Sequence, residues 1–486
     1  MTTIHEPGAT APIEPTGGSG RLWTPRLAAV LTVLVLASEI IPVSAVLSGT
    51  ALPAISTRFA TTQASWAMTI AFLTAAVAMP LVGKLADMYG KKRVLLGVLA
   101  LSLVGSVLSA VATSFALFLV GRALQGAIFS VAFLAYSLVR DVFPARIVPF
   151  AVSVTMTGTG LVVVLQPFLA GWLIDHHGVP GVYWFLTVLT LVLTLATLVV
   201  VPESPVRSSD SRLDLPGAFL LGGSVAAVLV GVSMGPQWGW TDTATLGLLA
   251  LGVVLFAGWI LQAGRADQPL IDLKELRRPA LLLSVVSSGL VYGVGATTSS
   301  FLAILAMTPR ALGQDYGFGM TASEFAIFGV VNGIAIVVGG LVVGATARRT
   351  GAKVHMLAAA VLIAAGALLM ALGRAEEPLV LVGSAAVHLA IGLSGAAIPN
   401  LVIAAVPPER QVVSSSLAEV SRTLMGAVGT TFGFVILNAN VLALVGGAPV
   451  YSGHGFVGAL GMIAGCAVAG GAAALFLPRG LGRQRT

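Results

Sequence analysis

The chain of 486 residues is 57% hydrophobic and only 9% charged, with a mean hydropathy of +0.98. A soluble domain carries about a quarter charged residues, so this composition excludes an ordinary water-soluble enzyme. The formal charge of +7 fits Lys and Arg held in cytoplasmic loops rather than a nucleic-acid surface, and the single cysteine, Cys466, rules out an intrachain disulfide.

Residues 1–26, rich in Pro, Gly and Thr over the first twenty, predict a disordered cytoplasmic tail. Fourteen apolar runs follow, each close to the 20 or so residues needed to cross a bilayer, at 27–51, 64–82, 94–112, 115–138, 149–173, 181–201, 214–236, 244–263, 281–306, 323–346, 354–372, 379–405, 415–440 and 454–478. The first is too long for the apolar part of a signal peptide and predicts a retained span. With the N-terminus in the cytoplasm, 21 Lys and Arg fall in cytoplasmic segments and three, Arg58, Arg310 and Arg374, outside. That asymmetry supports the count, because one span fewer inverts every later loop. Both termini are then cytoplasmic, the last eight residues (479–486) forming a short tail.

The loop Gly83-Lys84-Leu85-Ala86-Asp87-Met88-Tyr89-Gly90-Lys91-Lys92-Arg93 joins spans two and three. It resembles the signature loop of the major facilitator superfamily, G-x-L-A-D-x-x-G-[KR]-[KR], with Met88 where the family usually has a basic residue. A degenerate copy, Gly344 to Lys353, follows span ten, with glycines again seven apart and Arg348 in place of the acid. The expected fold is therefore an all-α integral membrane protein of the major facilitator kind, with 14 helices arranged six, two, six. Its parts are a first six-helix bundle over 27–201, a linker with two extra spans over 202–280, and a second bundle over 281–478. Transporters built from such halves bind substrate near the midplane between them. Fourteen spans resemble the drug:proton antiporter branch.

The resemblance implies roles for particular residues. Gly83, Asp87, Gly90, Lys91, Lys92 and Arg140 would latch the halves on the cytoplasmic side. Asp87 would face a helix N-terminus or an arginine such as Arg140. Arg122, Gln125 and Gly126 in span four match the family's R-x-x-Q-G motif, linked there to proton transfer. Span five carries Gln166, Pro167 and Gly171 where the antiporter motif reads G-P-x-x-G-G; Gln166 and Ala170 depart from it, which weakens the sign of export. In span one Ser44 stands where the branch has an aspartate. Glu39, five residues earlier, points about 140° away on a helix.

A carboxylate in mid-span is costly and marks function, so Glu39 is the first candidate for proton coupling, with Arg122 and His388 beside it and Asp141 as a further acid. The expected cavity lining is Glu39, Tyr292, Thr297, Thr298, Asn332 and His388, with Asn400 of the same kind. Glu419, Ser421 and Arg422 open span thirteen ahead of Gly426, Gly429 and Gly433. They predict close helix packing near the cytoplasmic gate.

No nucleotide loop, metal-spaced His/Cys set or catalytic triad is present in the sequence, and His176-His177 is weak evidence for a metal. These residues predict a non-enzymatic secondary transporter of the plasma (inner) membrane. It exports small amphipathic or lipophilic compounds on the proton-motive force, without cofactor or nucleic acid, as a monomer in the bilayer. The alternative is a proton symporter or facilitator importing a nutrient. A membrane enzyme or a channel would need a catalytic cluster or a continuous polar pore.

Overall fold

The computed structural model describes residues 23–478 apart from 62–65, 156–158, 207–213, 268, 270, 272, 310–313, 408–410 and 446–447. The first bundle holds α1 (Pro25–Thr50), α2 (Trp66–Tyr89), α3 (Lys91–Val111), α4 (Phe115–Val142), α5 (Val148–Thr155) and α6 (Thr159–Val200). The extra pair is α7 (Leu215–Trp238) and α8 (Thr243–Ala263). The second bundle holds α9 (Pro279–Met307), α10 (Ala322–Thr350), α11 (Ala352–Leu372), α12 (Glu377–Ala405), α13 (Gln411–Asn438) and α14 (Gly453–Leu475).

Thirteen helices among the described residues are long and apolar enough to cross a membrane. The other expected span, 149–173, crosses residues 156–158, which lie outside the described set; its flanks are α5 and the first part of α6. The chain turns back within α6 at Gly178, whose φ of 61° breaks the helix.

Polar residues start these helices by satisfying their free N–H groups. Thr24 Oγ1 accepts from Leu27 N at 3.2 Å ahead of Pro25. Asp214 Oδ1 accepts from Gly217 N at 2.9 Å. Thr321 and Glu324 form a reciprocal capping box on α10. Outer faces carry apolar residues such as Val199, Val253 and Leu261, as a lipid-facing surface requires.

The two bundles meet along α2 with α13, and along α10 with α5 and α6. Helix α7 packs on both α2 and α13, so the extra pair lies over one seam. The internal repeat is visible in the backbone. Gly90 (φ 106°) and Gly351 (φ 82°) each separate two helices at matching points of the bundles. Only glycine adopts such angles without strain.

One feature departs from the all-helical expectation. An antiparallel hairpin, β1 (Val441–Val445) with β2 (Ala448–Tyr451), joins α13 to α14. It is tied down by Tyr451 N, which donates to the Tyr316 hydroxyl at 3.0 Å. Beside it Asp315 pairs with Arg374. That guanidinium holds the Asp315 carboxyl below its ordinary range.

Candidate functional site

A cavity of about 140 Å³ lies between the bundles. Glu39, Pro42 and Met79 line it from the first bundle, as does Phe129; Tyr292, Glu419 and Arg422 line it from the second. Glu39 is 7% exposed, and its Oε2 has no hydrogen-bond partner among the described residues. Pro42, inside α1, has no N–H for the Ser38 carbonyl and so leaves polar backbone near Glu39. On the opposite wall Arg422 Nη1 donates to Glu419 Oε1 at 2.6 Å, and its guanidinium carbon lies 3.6 Å from the centre of the Tyr292 ring.

Local backbone geometry sets Arg422 in place. Helix α9 contains one π-helical turn, Ser288–Gly293, carrying Tyr292. That turn presses directly on α13. Ser421 Oγ donates to Val285 O at 2.8 Å and Ser288 Oγ to Ala418 O at 3.2 Å. A Cβ on Gly293 would sit 2.5 Å from the Arg422 carbonyl oxygen, closer than a real side-chain carbon can come. The backbone contact holds Arg422 against Tyr292. Gly426, Gly429 and Gly433 continue the contact with α9. The packing expected of this stripe is present, but Glu419 and Arg422 face the cavity as well as the packing seam.

Arg122 occupies a separate, tighter cleft with Ser44, Met68 and Gln125. Its Nε donates to Ala67 O at 2.9 Å and its Nη1 to Gln125 Oε1. Gln125 Nε2 in turn donates to Ser106 Oγ at 2.5 Å. Phe129 borders both spaces. Ser44 thus faces the Arg122 cleft while Glu39 faces the central cavity, as their angular separation on α1 requires. Gly126 packs against α2, where a Cβ would lie 2.4 Å from Ala71 O.

Of the expected lining residues, Glu39 and Tyr292 are on the cavity wall; Thr297, Thr298, Asn332 and His388 are not. His388 is buried in the second bundle, with Nδ1 2.8 Å from Ser384 O and Nε2 3.1 Å from Ser299 Oγ. A carbonyl only accepts, so Nδ1 carries the proton and Nε2 accepts from the serine. Ser384 Oγ also donates to Asn332 Oδ1 at 3.1 Å. Thr297 Oγ1 donates to Val294 O at 2.7 Å, and the buried Thr298 hydroxyl has no partner among the described residues. His388 and Asn332 thus tie α12 to α9 and to α10, while Thr297 bonds within its own helix. Asn400 reaches across the bundles, its Nδ2 3.4 Å from Ser153 Oγ.

The motif loop joins the bundles at one end. Asp87 accepts a hydrogen bond from the backbone N–H of Val413, in the first turn of α13. A Cβ on Gly83 would lie 3.2 Å from Val413 Cα. Arg140 Nη1 donates to Gln411 Oε1 at 2.7 Å. Lys91 is fully buried and pairs with Asp141, which also accepts from Ser204 Oγ. Glu203 accepts from Lys92 N at 2.9 Å and Arg93 N at 3.3 Å, capping α3. Lys92 Nζ donates to Leu198 O at 2.8 Å. Sequence reasoning passed over Glu203; an acid two residues beyond a long apolar run was its available signal. The side chains of Gln166, Pro167 and Gly171 lie outside the described residues.

No cluster of three metal-ligating side chains occurs among the described residues. Comparison with known proteins fits this geometry. The profile of the Major Facilitator Superfamily matches residues 34–430. The tetracenomycin C resistance and export protein of Streptomyces glaucescens is 29% identical over 288 residues, 58% of this chain but only 52% of that protein, about half its length. The multidrug resistance protein B homolog of Mycobacterium tuberculosis (strain ATCC 25618 / H37Rv) is 28% identical over 461 residues, 89% of this chain and 81% of that one. Among solved structures, the proton:xylose symporter XylE bound to 6-bromo-6-deoxy-D-glucose shares the fold at a TM-score of 0.63 and 15% identity, over 94% of this chain and 97% of that one. A profile that matches most of the chain, on a fold of paired bundles around a central cavity, makes this chain a multi-pass membrane protein of the Major Facilitator Superfamily.

Proposed function

We propose that this transporter exchanges protons for small amphipathic compounds by alternating access, exporting them, with Glu39 as the proton-carrying group. The carrying observation is the Glu39 carboxylate on the cavity wall, buried, with Oε2 unpartnered among the described residues. A buried acceptor left without a partner is costly. A proton or the cationic group of a ligand satisfies it, and the two exclude each other, which is the logic of antiport. Arg122 does not offer itself as the partner, because its guanidinium is engaged with Ala67 and Gln125 in another cleft. It holds α4 to α2.

The latch of Asp87 and Arg140 on α13 closes one end of the cavity, and the loop charges argue that this end and both termini are cytoplasmic. The names of the two bacterial relatives, one an export and one a multidrug resistance protein, support the outward direction. One charge moving through 100 mV supplies about 2.3 kcal/mol, enough for more than tenfold accumulation. The transporter works as a monomer in the bilayer and needs only the proton gradient.

Inverted vesicles, acidified inside, test this. Adding substrate should release protons. Glu39→Gln should abolish uphill transport while leaving downhill exchange measurable. Wild-type pH dependence in the Gln variant would make Glu39 structural.

A further inference from the structure

The cavity walls carry two unpartnered buried atoms of opposite kind among the described residues: Glu39 Oε2, an acceptor, and Arg422 Nε, a donor. They come from different bundles. Arg422 is otherwise committed, with Glu419 on Nη1 and the Tyr292 ring against the guanidinium face. Its Nε has no hydrogen-bond partner among the described residues. The charged and titratable groups on the cavity wall are Glu39, Glu419, Arg422 and Tyr292. Among the described residues no charged side chain stands against Glu39 in this conformation. The rest of the lining is mostly apolar, with Ile41, Met79 and Phe129 on the first bundle's side. Ligand sites have this character: mostly apolar walls with a few polar groups that fix orientation.

We propose that the cavity is a two-pole site for one amphipathic molecule, with an ammonium or similar cationic donor at the end that meets Glu39 and a carboxylate or carbonyl acceptor at the end that meets Arg422. A flat apolar body lies between, against Phe129 and Met79. The inference rests on reading this cavity as the substrate site, and it narrows that reading from amphipathic compounds in general to bipolar ones. A molecule with both poles satisfies both orphan atoms at once. A simple lipophilic cation leaves Arg422 Nε unpaired in a buried place, which costs affinity. Because the poles bind opposite bundles, a bipolar ligand also bridges them.

Equilibrium binding to the purified, detergent-solubilised full chain tests this without any gradient, so it is independent of transport direction and proton coupling. The probes are 6-(aminomethyl)-2-naphthoate, with both poles, and its one-poled analogues 2-(aminomethyl)naphthalene and 2-naphthoate. The two-poled probe should bind at least tenfold more tightly than either analogue. Glu39→Gln should bring its affinity down to that of 2-naphthoate. Arg422→Lys keeps a charge for Glu419 but removes Nε, and should bring it down to that of the amine. The double variant Arg422→Gln with Glu419→Gln removes the pair as a neutral unit, and should act like Arg422→Lys if the latter folds poorly. Equal affinity for the two-poled probe and the amine, an unchanged preference in both Arg422 variants, or no binding of any of the three overturns the two-pole site. Proton-coupled export of other compounds would survive each of these results, and would fail separately in the vesicle experiment.

Discussion

Asp87 and Val413 belong to different bundles, yet the Asp87 carboxylate accepts the backbone N–H of Val413 in the first turn of α13. A carboxylate at a helix N-terminus gains both a charge-assisted hydrogen bond and the favourable end of the helix dipole. The contact ties the first bundle to the second. Under the proposed alternating-access cycle it weights the state in which this end is closed.

Asp87→Asn keeps the size of the side chain and an acceptor oxygen but removes the charge. The loss is on the order of 1 kcal/mol, and transport rates in vesicles should fall about fivefold or more, with folded, inserted protein. A wild-type rate would leave the loop with a topological role alone.

Gly293→Ala should strain the α9–α13 contact, because its Cβ would lie 2.5 Å from Arg422 O. Overpacking of this kind costs about 1–3 kcal/mol. Gly461 has nothing within 4 Å of an added Cβ, so Gly461→Ala should be neutral. Thermal unfolding of the two variants in detergent makes the comparison. Equal midpoints would show that α9 and α13 can part without penalty.

His388→Gln should leave the pH profile of transport as it is. Both ring nitrogens are already engaged, with Ser384 O and Ser299 Oγ. The substitution costs stability, about 1–3 kcal/mol if a buried partner is stranded. Loss of uphill transport with intact downhill exchange would instead put His388 on the proton path.

Asp315 lies outside the spans, and the Arg374 hydrogen bond lowers its carboxyl from the ordinary value. A lowered folded value means stability that is present above the unfolded value, about 3.9, and lost as pH falls through the lower folded one. The wild type should therefore exceed Asp315→Asn by a small, constant margin near neutrality, and the margin should vanish in strong acid. Thermal midpoints measured across that range would show it; a margin that grows in acid contradicts the assignment.

Reporter fusions after Trp240 and after Leu312 should both read as external. A cytoplasmic signal at Trp240 would mean that α7 and α8 do not form a membrane hairpin.

The spans were legible because run length and loop charge are local properties of the sequence. The motif loop was legible because Gly83, Asp87 and Gly90 recur at fixed spacing in one short stretch, although Gly83 and Asp87 make their contacts on α13 of the other bundle. The cavity was less so. Reading span thirteen as starting at 415 left Glu419 and Arg422 near its end, where a charged pair looks like part of a gate. Helix α13 starts at Gln411, which puts Arg422 about 16 Å along it at 1.5 Å per residue. The π-helical turn of α9, which no periodicity announces, then holds it on the wall. His388, Thr297, Thr298 and Asn332 sit on suitable helices, but their rotation depends on packing that a single span does not encode.

The first glycine of each repeat makes the same kind of contact in mirror fashion. Gly83 lies against Val413 of the second bundle, and Gly344 against Phe150 and Ser153 of the first. Both contacts are at the same end of the molecule, and an added Cβ would sit about 3.2 Å from the facing residue in each. The two bundles therefore rest on a matched pair of bearings. Under the proposed alternating-access cycle both must release for this end to open, so damage at Gly83 or at Gly344 alone should change the opening rate of the whole molecule, not of one side.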